Sequence, residues 1–140
     1  VTTECVEYVT DTHALVWSMY APSRLGAVAL AAFAAADAGA ARIHVPAVVV
    51  AETIMVVERG RLPGIAMAHL LPRLEAMRTS DNYRLLSLLP EVVLASHTLT
   101  AIPDIFDRLI VAEAIHRRTP LLSKDAVIRR TALVATVWDA

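Results

Sequence analysis

Cys5-Val6-Glu7-Tyr8-Val9-Thr10-Asp11-Thr12 is the stretch from which the fold follows. Apolar and β-branched residues surround a single charge, Glu7, which is the composition of a strand, and Asp11-Thr12 then supplies the side-chain oxygens that open a helix. A strand running straight into a helix cap is the first half of a βα unit, and it puts Asp11 at the strand's carboxyl edge. Outward from there the alternation continues. His13 to Tyr20 reads as a short helix stopped near Pro22, and Ser23 as the cap of a long alanine-rich helix ending around Gly39. Arg42 to Val45 is a brief strand, after which Pro46 has the fixed φ favoured at the first position of a helix ending near Gly60. Pro63 to Met77 is a further helix, kinked or restarted at Pro72. Past the polar turn Ser80-Asp81-Asn82 come a strand over Tyr83 to Leu88 and a short helix over Glu91 to Leu99. Asp104 caps a helix through His116, Pro120 to Ser123 is a strand, Ala126 to Arg130 a helical turn, and Leu133 to Trp138 the last strand. Such alternation predicts an α/β fold, a three-layer sandwich with a central parallel sheet of four to five strands, whose crevice lies beyond the strands' carboxyl ends. One domain over residues 1–140 accounts for the chain.

Composition narrows the function. With 13 Lys plus Arg against 14 Asp plus Glu the formal charge is −1, so no general attraction to polyanions is expected. Apolar residues at 56% and charged ones at 19% exclude a disordered chain. The mean hydropathy of +0.54 raises the question of a membrane, but the longest uncharged apolar run, Leu25 to Ala36, is far short of the roughly 20 residues a span needs. Cys5 is the only cysteine, which excludes an intrachain disulfide or thiolate cluster, and Val1 to Thr10 carry acids and no basic signal-peptide head; a cytoplasmic protein is expected. The apolar surplus over one small core points to a subunit interface.

The chemistry lies in the acids. In Pro46 to Val57 the only charge is Glu52, so the helix is apolar on every side and is expected to be largely buried. A carboxylate there needs a cation, a hydrogen-bond network or a raised pKa, unless it reaches solvent or an arginine. Asp11 and Asp125 each follow an inferred strand, where an Asp serves either a site or a helix N-cap. Asp104 and Asp107 open one helix, and one of the two is expected to be structural, with Asp104 placed for an i,i+4 pair with Arg108. If Asp11, Glu52, Asp107 and Asp125 meet at one sheet edge they repel: two carboxylates about 4 Å apart oppose each other by about 4 kcal/mol at an effective dielectric of about 20. Several ionised together call for a dication, and oxygen-only ligands favour Mg²⁺ or Mn²⁺ over zinc. The implied reaction is metal-assisted phosphodiester hydrolysis.

Four segments, Asp11-Thr12-His13-Ala14-Leu15-Val16-Trp17, Ala51-Glu52, Asp104-Ile105-Phe106-Asp107-Arg108-Leu109-Ile110 and Leu121-Leu122-Ser123-Lys124-Asp125, together resemble the PIN-domain ribonucleases, especially the VapC toxins of toxin–antitoxin pairs. The resemblance implies a PIN-like sandwich, a Mg²⁺- or Mn²⁺-dependent endoribonuclease that inhibits translation, a homodimer, and a VapB-like antitoxin whose C-terminal segment plugs the site. By position the family's acids fall on Asp11, Glu52, Asp107 and Asp125, with Asp104 an acid common in this subgroup. Thr12 and Ser123 match hydroxyl positions that orient ligands or water. The resemblance further implies that Asp11, Asp107 and Asp125 hold the metal directly or through water, with Glu52 a ligand or a base. Thr10 departs from the family, whose first strand usually has an apolar residue there.

Two rivals differ in class. One is a PIN-like binding module without catalysis, against which the retention of all four acids speaks. The other is an aspartyl phosphotransfer domain, disfavoured because His13 stands where the dehalogenase type has an acid. Arg108, Lys124, Arg129 and Arg130, close in sequence to Asp107 and Asp125, are candidates for RNA phosphates, with solvation the alternative; Arg117 and Arg118 suit a helix C-terminus. The five histidines have no zinc-type spacing and read as structural or surface residues, His13 being the exception beside Asp11. Trp17, Met19 and Tyr20 suit either a partner groove or the core. A Gly-rich phosphate loop and G-x-S-x-G are both missing, which disfavours P-loop NTPases and serine hydrolases.

Overall fold

A computed structural model describes residues 5–139. Parallel strands need crossovers, and here the helices supply them. β1 (Val6–Thr10), β2 (Ala41–Pro46), β3 (Tyr83–Leu86), β4 (Leu121–Leu122) and β5 (Thr136–Val137) form one all-parallel sheet in the order β3-β2-β1-β4-β5. β1 is the middle strand, with Val9 facing His44 of β2 on one side and Leu121 of β4 on the other. The chain builds outward from β1 to β2 and β3, then crosses back to lay β4 on β1's free side. That reversal leaves a crevice between the carboxyl ends of β1 and β4.

The helices are α1 (Thr12–Tyr20), α2 (Ala27–Asp37), α3 (Ala47–Glu58), α4 (Met67–Thr79), α5 (Pro90–Ser96), α6 (Ile105–Arg117) and α7 (Ala126–Thr131). They bury Val9, Leu15, Ile43, Val45, Ile110, Leu121 and Leu122 completely or nearly so. Among the described residues no helix is long and apolar enough to cross a membrane. Thr10 packs without penalty, because its buried hydroxyl donates to the Asp11 carbonyl at 2.9 Å. A second polar pair sits further back on the sheet: buried His44 Nε2 donates to Glu7 Oε1 at 2.8 Å, which holds the Glu7 carboxyl below its usual range, while burial pushes His44 down. Arg117 pairs with buried Glu113 at 3.4 Å, one turn back on α6.

Several local expectations need correction. Ser23 does not cap α2; Pro22–Arg24 form one 3₁₀ turn and Gly26 is the N-cap. The free N–H groups of Val28 and Ala29 donate instead to the Trp138 carbonyl, both at 2.9 Å, so the helix start is satisfied from the far end of the chain. Pro46 is the N-cap of α3 rather than its first residue. α4 begins at Met67, after a left-handed Gly64, and runs on through Pro72, whose missing N–H lies on an exposed surface. The α3 helix is not largely buried. Val48, Val49, Thr53 and Val57 face the core, Ala47 and Ala51 are exposed, and Met55 and Val56 are half-buried because they wall a pocket rather than pack on a neighbour.

Candidate active site

The crevice holds a pocket of about 230 Å³ into which Asp11, Thr12, Glu52, Asp104, Asp107 and Asp125 all project. Asp11 leaves β1 and Asp125 follows β4, the two strands on either side of the topological switch. Both are also helix caps. Asp11 Oδ1 accepts from the Ala14 N–H at 2.9 Å at the start of α1, and Asp125 Oδ1 from the Ile128 N–H at 3.0 Å at the start of α7. The site and cap readings of these acids are therefore not alternatives: one oxygen fixes the backbone and the same bond aims the other at the pocket. Asp104 does the same for α6, accepting from Phe106 and Asp107 N–H at 2.7 and 3.3 Å. Its expected pair with Arg108 does not form. The Arg108 guanidinium donates to the Ile102 carbonyl instead.

Glu52 reaches the crevice from α3, and the Thr12 hydroxyl donates to its Oε1 at 2.7 Å. Ser123, buried after β4, receives the Asp125 N–H on its hydroxyl oxygen at 3.1 Å and lies beside Asp11. Both hydroxyls flagged in the sequence thus orient the carboxylates.

The electrostatics follow from crowding acids where water is scarce. Burial pushes the Asp11 carboxyl up against the opposing Ser123 hydroxyl and Ala14 N–H. Glu52 is raised by burial and by the Asp104 charge, with the Thr12 hydroxyl opposing. Asp107 is the focus: burial first, then the charges of Asp104, Asp125, Glu52 and Asp11, push it up to about 7. Four carboxylates thus act on a fifth.

Among the described residues no group of three or more His, Cys, Asp or Glu side chains is gathered into a ready-made metal-binding cluster. The donor chemistry nevertheless fits one class of ion. The carboxylates share one hollow too open to close on a bare ion, and Mg²⁺ keeps several waters while touching only one or two carboxylates. A hydrated dication is what such a hollow accommodates.

Of the cations singled out from the sequence, Lys124 stands beside the site with its Nζ 4.9 Å from the Trp17 ring centroid. Arg129 and Arg130 are exposed at the end of α7 and do not line the pocket. The pocket's own basic residues are Arg59 and Arg61, which the sequence reading missed. A signal was there: Glu52, Met55, Val56 and Arg59 fall at i, i+3, i+4 and i+7, one stripe of α3, so whatever Glu52 faces Arg59 faces too.

The sequence matches the PIN domain family over residues 8–134. The chain belongs to the PIN-domain family. No curated protein matches it by sequence. Among solved structures, this PIN domain is similar to the crystal structure of VapBC2 from Rickettsia felis bound to a DNA fragment from their promoter. The match has a TM-score of 0.65 at 15% identity and covers 96% of this chain and 100% of that one. At that identity the likeness carries the fold: the expected PIN-like sandwich with a central parallel sheet is present, with five strands.

Proposed function

We propose that the protein is a divalent-metal-dependent endoribonuclease of the VapC type, a single PIN domain that hydrolyses RNA phosphodiester bonds as the toxin of a toxin–antitoxin pair. The observation that carries this reading is the convergence of Asp11, Glu52, Asp104, Asp107 and Asp125 on one pocket at the sheet's switch point, with Asp107 pushed up to about 7 by burial and then by the other four. Asp11, Asp107 and Asp125 would hold Mg²⁺ or Mn²⁺ directly or through water, with Glu52 as a further ligand or as a base. A bound dication supplies a water of lowered pKa and stabilises charge developing on the phosphoryl oxygens.

The chain's own groups do the positioning. The cap bonds to Ala14 and Ile128 fix the rotamers of Asp11 and Asp125, and the Thr12 hydroxyl fixes Glu52, so the acceptors are set before substrate arrives. Glu52, whose carboxyl burial pushes up, is placed to take a proton from the attacking water. Arg59 and Arg61 at the rim offer charge to a phosphate entering over the acids.

The VapBC2 structure is, by its own description, bound to a DNA fragment from its promoter. On the VapC reading, the partner here is a VapB-like antitoxin that blocks the pocket, and the setting is the cytoplasm. Exposed Val93, Leu94, Ile105 and Phe106 on α5 and α6 support a homodimer or an antitoxin contact. The test is cleavage of RNA with and without Mg²⁺ or Mn²⁺. Asp11→Asn, which keeps the helix cap, abolishes metal-dependent cleavage while the fold persists. Undiminished cleavage by that variant, or cleavage unaffected by a chelator, rejects the reading.

A further inference from the structure

A second hollow, of about 440 Å³, opens on the other side of the acids and shares Asp11, His13 and Asp125 with the first. Its remaining wall is cationic and aromatic. The Arg24 guanidinium lies over the Trp17 ring with Cζ 4.5 Å from the centroid, and Lys124 Nζ is 4.9 Å from the same ring. Trp17 itself is buried and wedged between His13 and Trp138, with centroid separations of 5.5 and 5.9 Å, so it is a fixed seat rather than a mobile surface ring.

Two features of this arrangement matter. Lys124 precedes Asp125 in the chain yet rests on the ring, and neither Arg24 nor Lys124 forms an ion pair among the described residues. A guanidinium seated on an aromatic face keeps its N–H edge unspent, and seating both side chains removes part of the entropy cost of binding an anion. The first hollow has a matching pair, Arg59 and Arg61, in its own lining and not in that of the second. Asp11 and Asp125, shared by both hollows, therefore lie between two pairs of unspent cations, one in each hollow.

We propose that a single RNA strand crosses the acids from one hollow to the other, with Arg59 and Arg61 holding the phosphate on one side of the cleaved linkage and Arg24 and Lys124, seated on Trp17, holding the phosphate on the other. This rests on the nuclease reading and adds the path of the substrate. An isolated anion satisfies one pair only. A chain of phosphates satisfies both and, with a dication, also passes over the acids between them.

The test uses short RNAs in which one linkage at a time is a neutral methylphosphonate, cleaved by the intact protein with Mg²⁺. In the wild type a neutral linkage on either side of the cut slows cleavage about tenfold. In Arg24→Gln/Lys124→Gln protein the penalty on one side vanishes and the other remains; in Arg59→Gln/Arg61→Gln protein the pattern reverses. Arg24→Gln alone, at an exposed position, gives a partial version should the double variant unfold. Binding is read separately, without turnover, from tryptophan emission in the Asp11→Asn background. There, loss of Arg24 and Lys124 lowers the slope of log affinity against log salt by about 0.7, the one phosphate that the pair holds. Neutral linkages without effect, penalties that persist in both double variants, or an unchanged salt slope overturn the track. Absence of all metal-dependent cleavage in the wild type instead rejects the nuclease reading, and the salt slope then decides the track by itself.

Discussion

Asp107→Asn should stabilise the metal-free protein at alkaline pH, an unusual outcome for removing a polar group from a pocket. The Asp107 carboxyl moves from 3.8 to about 7 on folding, so the folded state resists its ionisation. At about 1.36 kcal/mol per pH unit that is about 4 kcal/mol. The group is only half-buried and solvent screens roughly half of it, leaving about 2 kcal/mol. The sign follows from linkage. A carboxyl raised on folding leaves the folded state unpenalised while both states keep the proton, and penalises it once the unfolded chain ionises first. That penalty is absent well below about pH 4 and complete once the pH has risen through about 7. Asn carries no such charge, so in chelator at pH 8 the variant should exceed the wild type by about 2 kcal/mol, roughly 6–8 °C in Tm for a chain of this size. The gap should halve to about 1 kcal/mol at pH 4.5 and shrink toward zero only near pH 3. Millimolar Mg²⁺ should raise the wild-type Tm at pH 8 and leave the variant nearly unmoved. Thermal melts followed by circular dichroism at both pH values decide it. A variant less stable than the wild type at pH 8 in chelator would refute the repulsion argument, since the carboxylate would then be stabilised by a partner.

Asp104→Asn retains the α6 cap but removes the second-largest cause of the Asp107 shift, so the acidic limb of the cleavage profile should move to lower pH, whereas Asp104→Ala should also cost about 1 kcal/mol of stability in urea unfolding. Thr12→Val deletes the 2.7 Å bond to Glu52, and the raised Glu52 carboxyl should rise further; cleavage near pH 6 should fall more than cleavage near pH 8, which a pH series reads directly. Gly26→Ala puts a methyl 2.6 Å from both Trp138 Cδ1 and its carbonyl oxygen, where backbone must give way, and should cost about 2 kcal/mol, read as a lower Tm.

The acids show how far sequence reading reaches and where it stops. Asp11 and Asp125 were legible because each ends a short apolar strand, and a parallel sheet keeps its ligands at that edge. Asp104 and Asp107 posed a choice that the structure dissolves: Asp104 caps α6 and lines the pocket as well, since a carboxylate has two oxygens and a cap uses one. Glu52 was found for a reason that proved incomplete. It stood out as a charge in an apolar helix thought buried, but α3 is half-open because it walls the pocket. The cationic surface was legible only in part. Nearness in sequence selected Lys124, which lines the second hollow, together with Arg108, which is tied to the Ile102 carbonyl, and Arg129 and Arg130, which do not line the pocket, while Arg59, Arg61 and Arg24 arrive from other segments.

By itself the sequence determined what depends on neighbours in the chain: strand-then-cap junctions at Asp11 and Asp125, the alternation that demands a parallel sheet, and the candidate acidic residues. Tertiary structure decided what depends on contacts between distant segments. These include the Trp138 carbonyl that starts α2, the return of β4 beside β1 that sets Asp11 near Asp125, and the Trp17 seat that gathers Arg24 and Lys124. The physical reason is range. Backbone propensities and caps act over three or four residues, whereas charge and packing act through space, and no local pattern encodes which side chains the closed sheet will bring within a few ångströms.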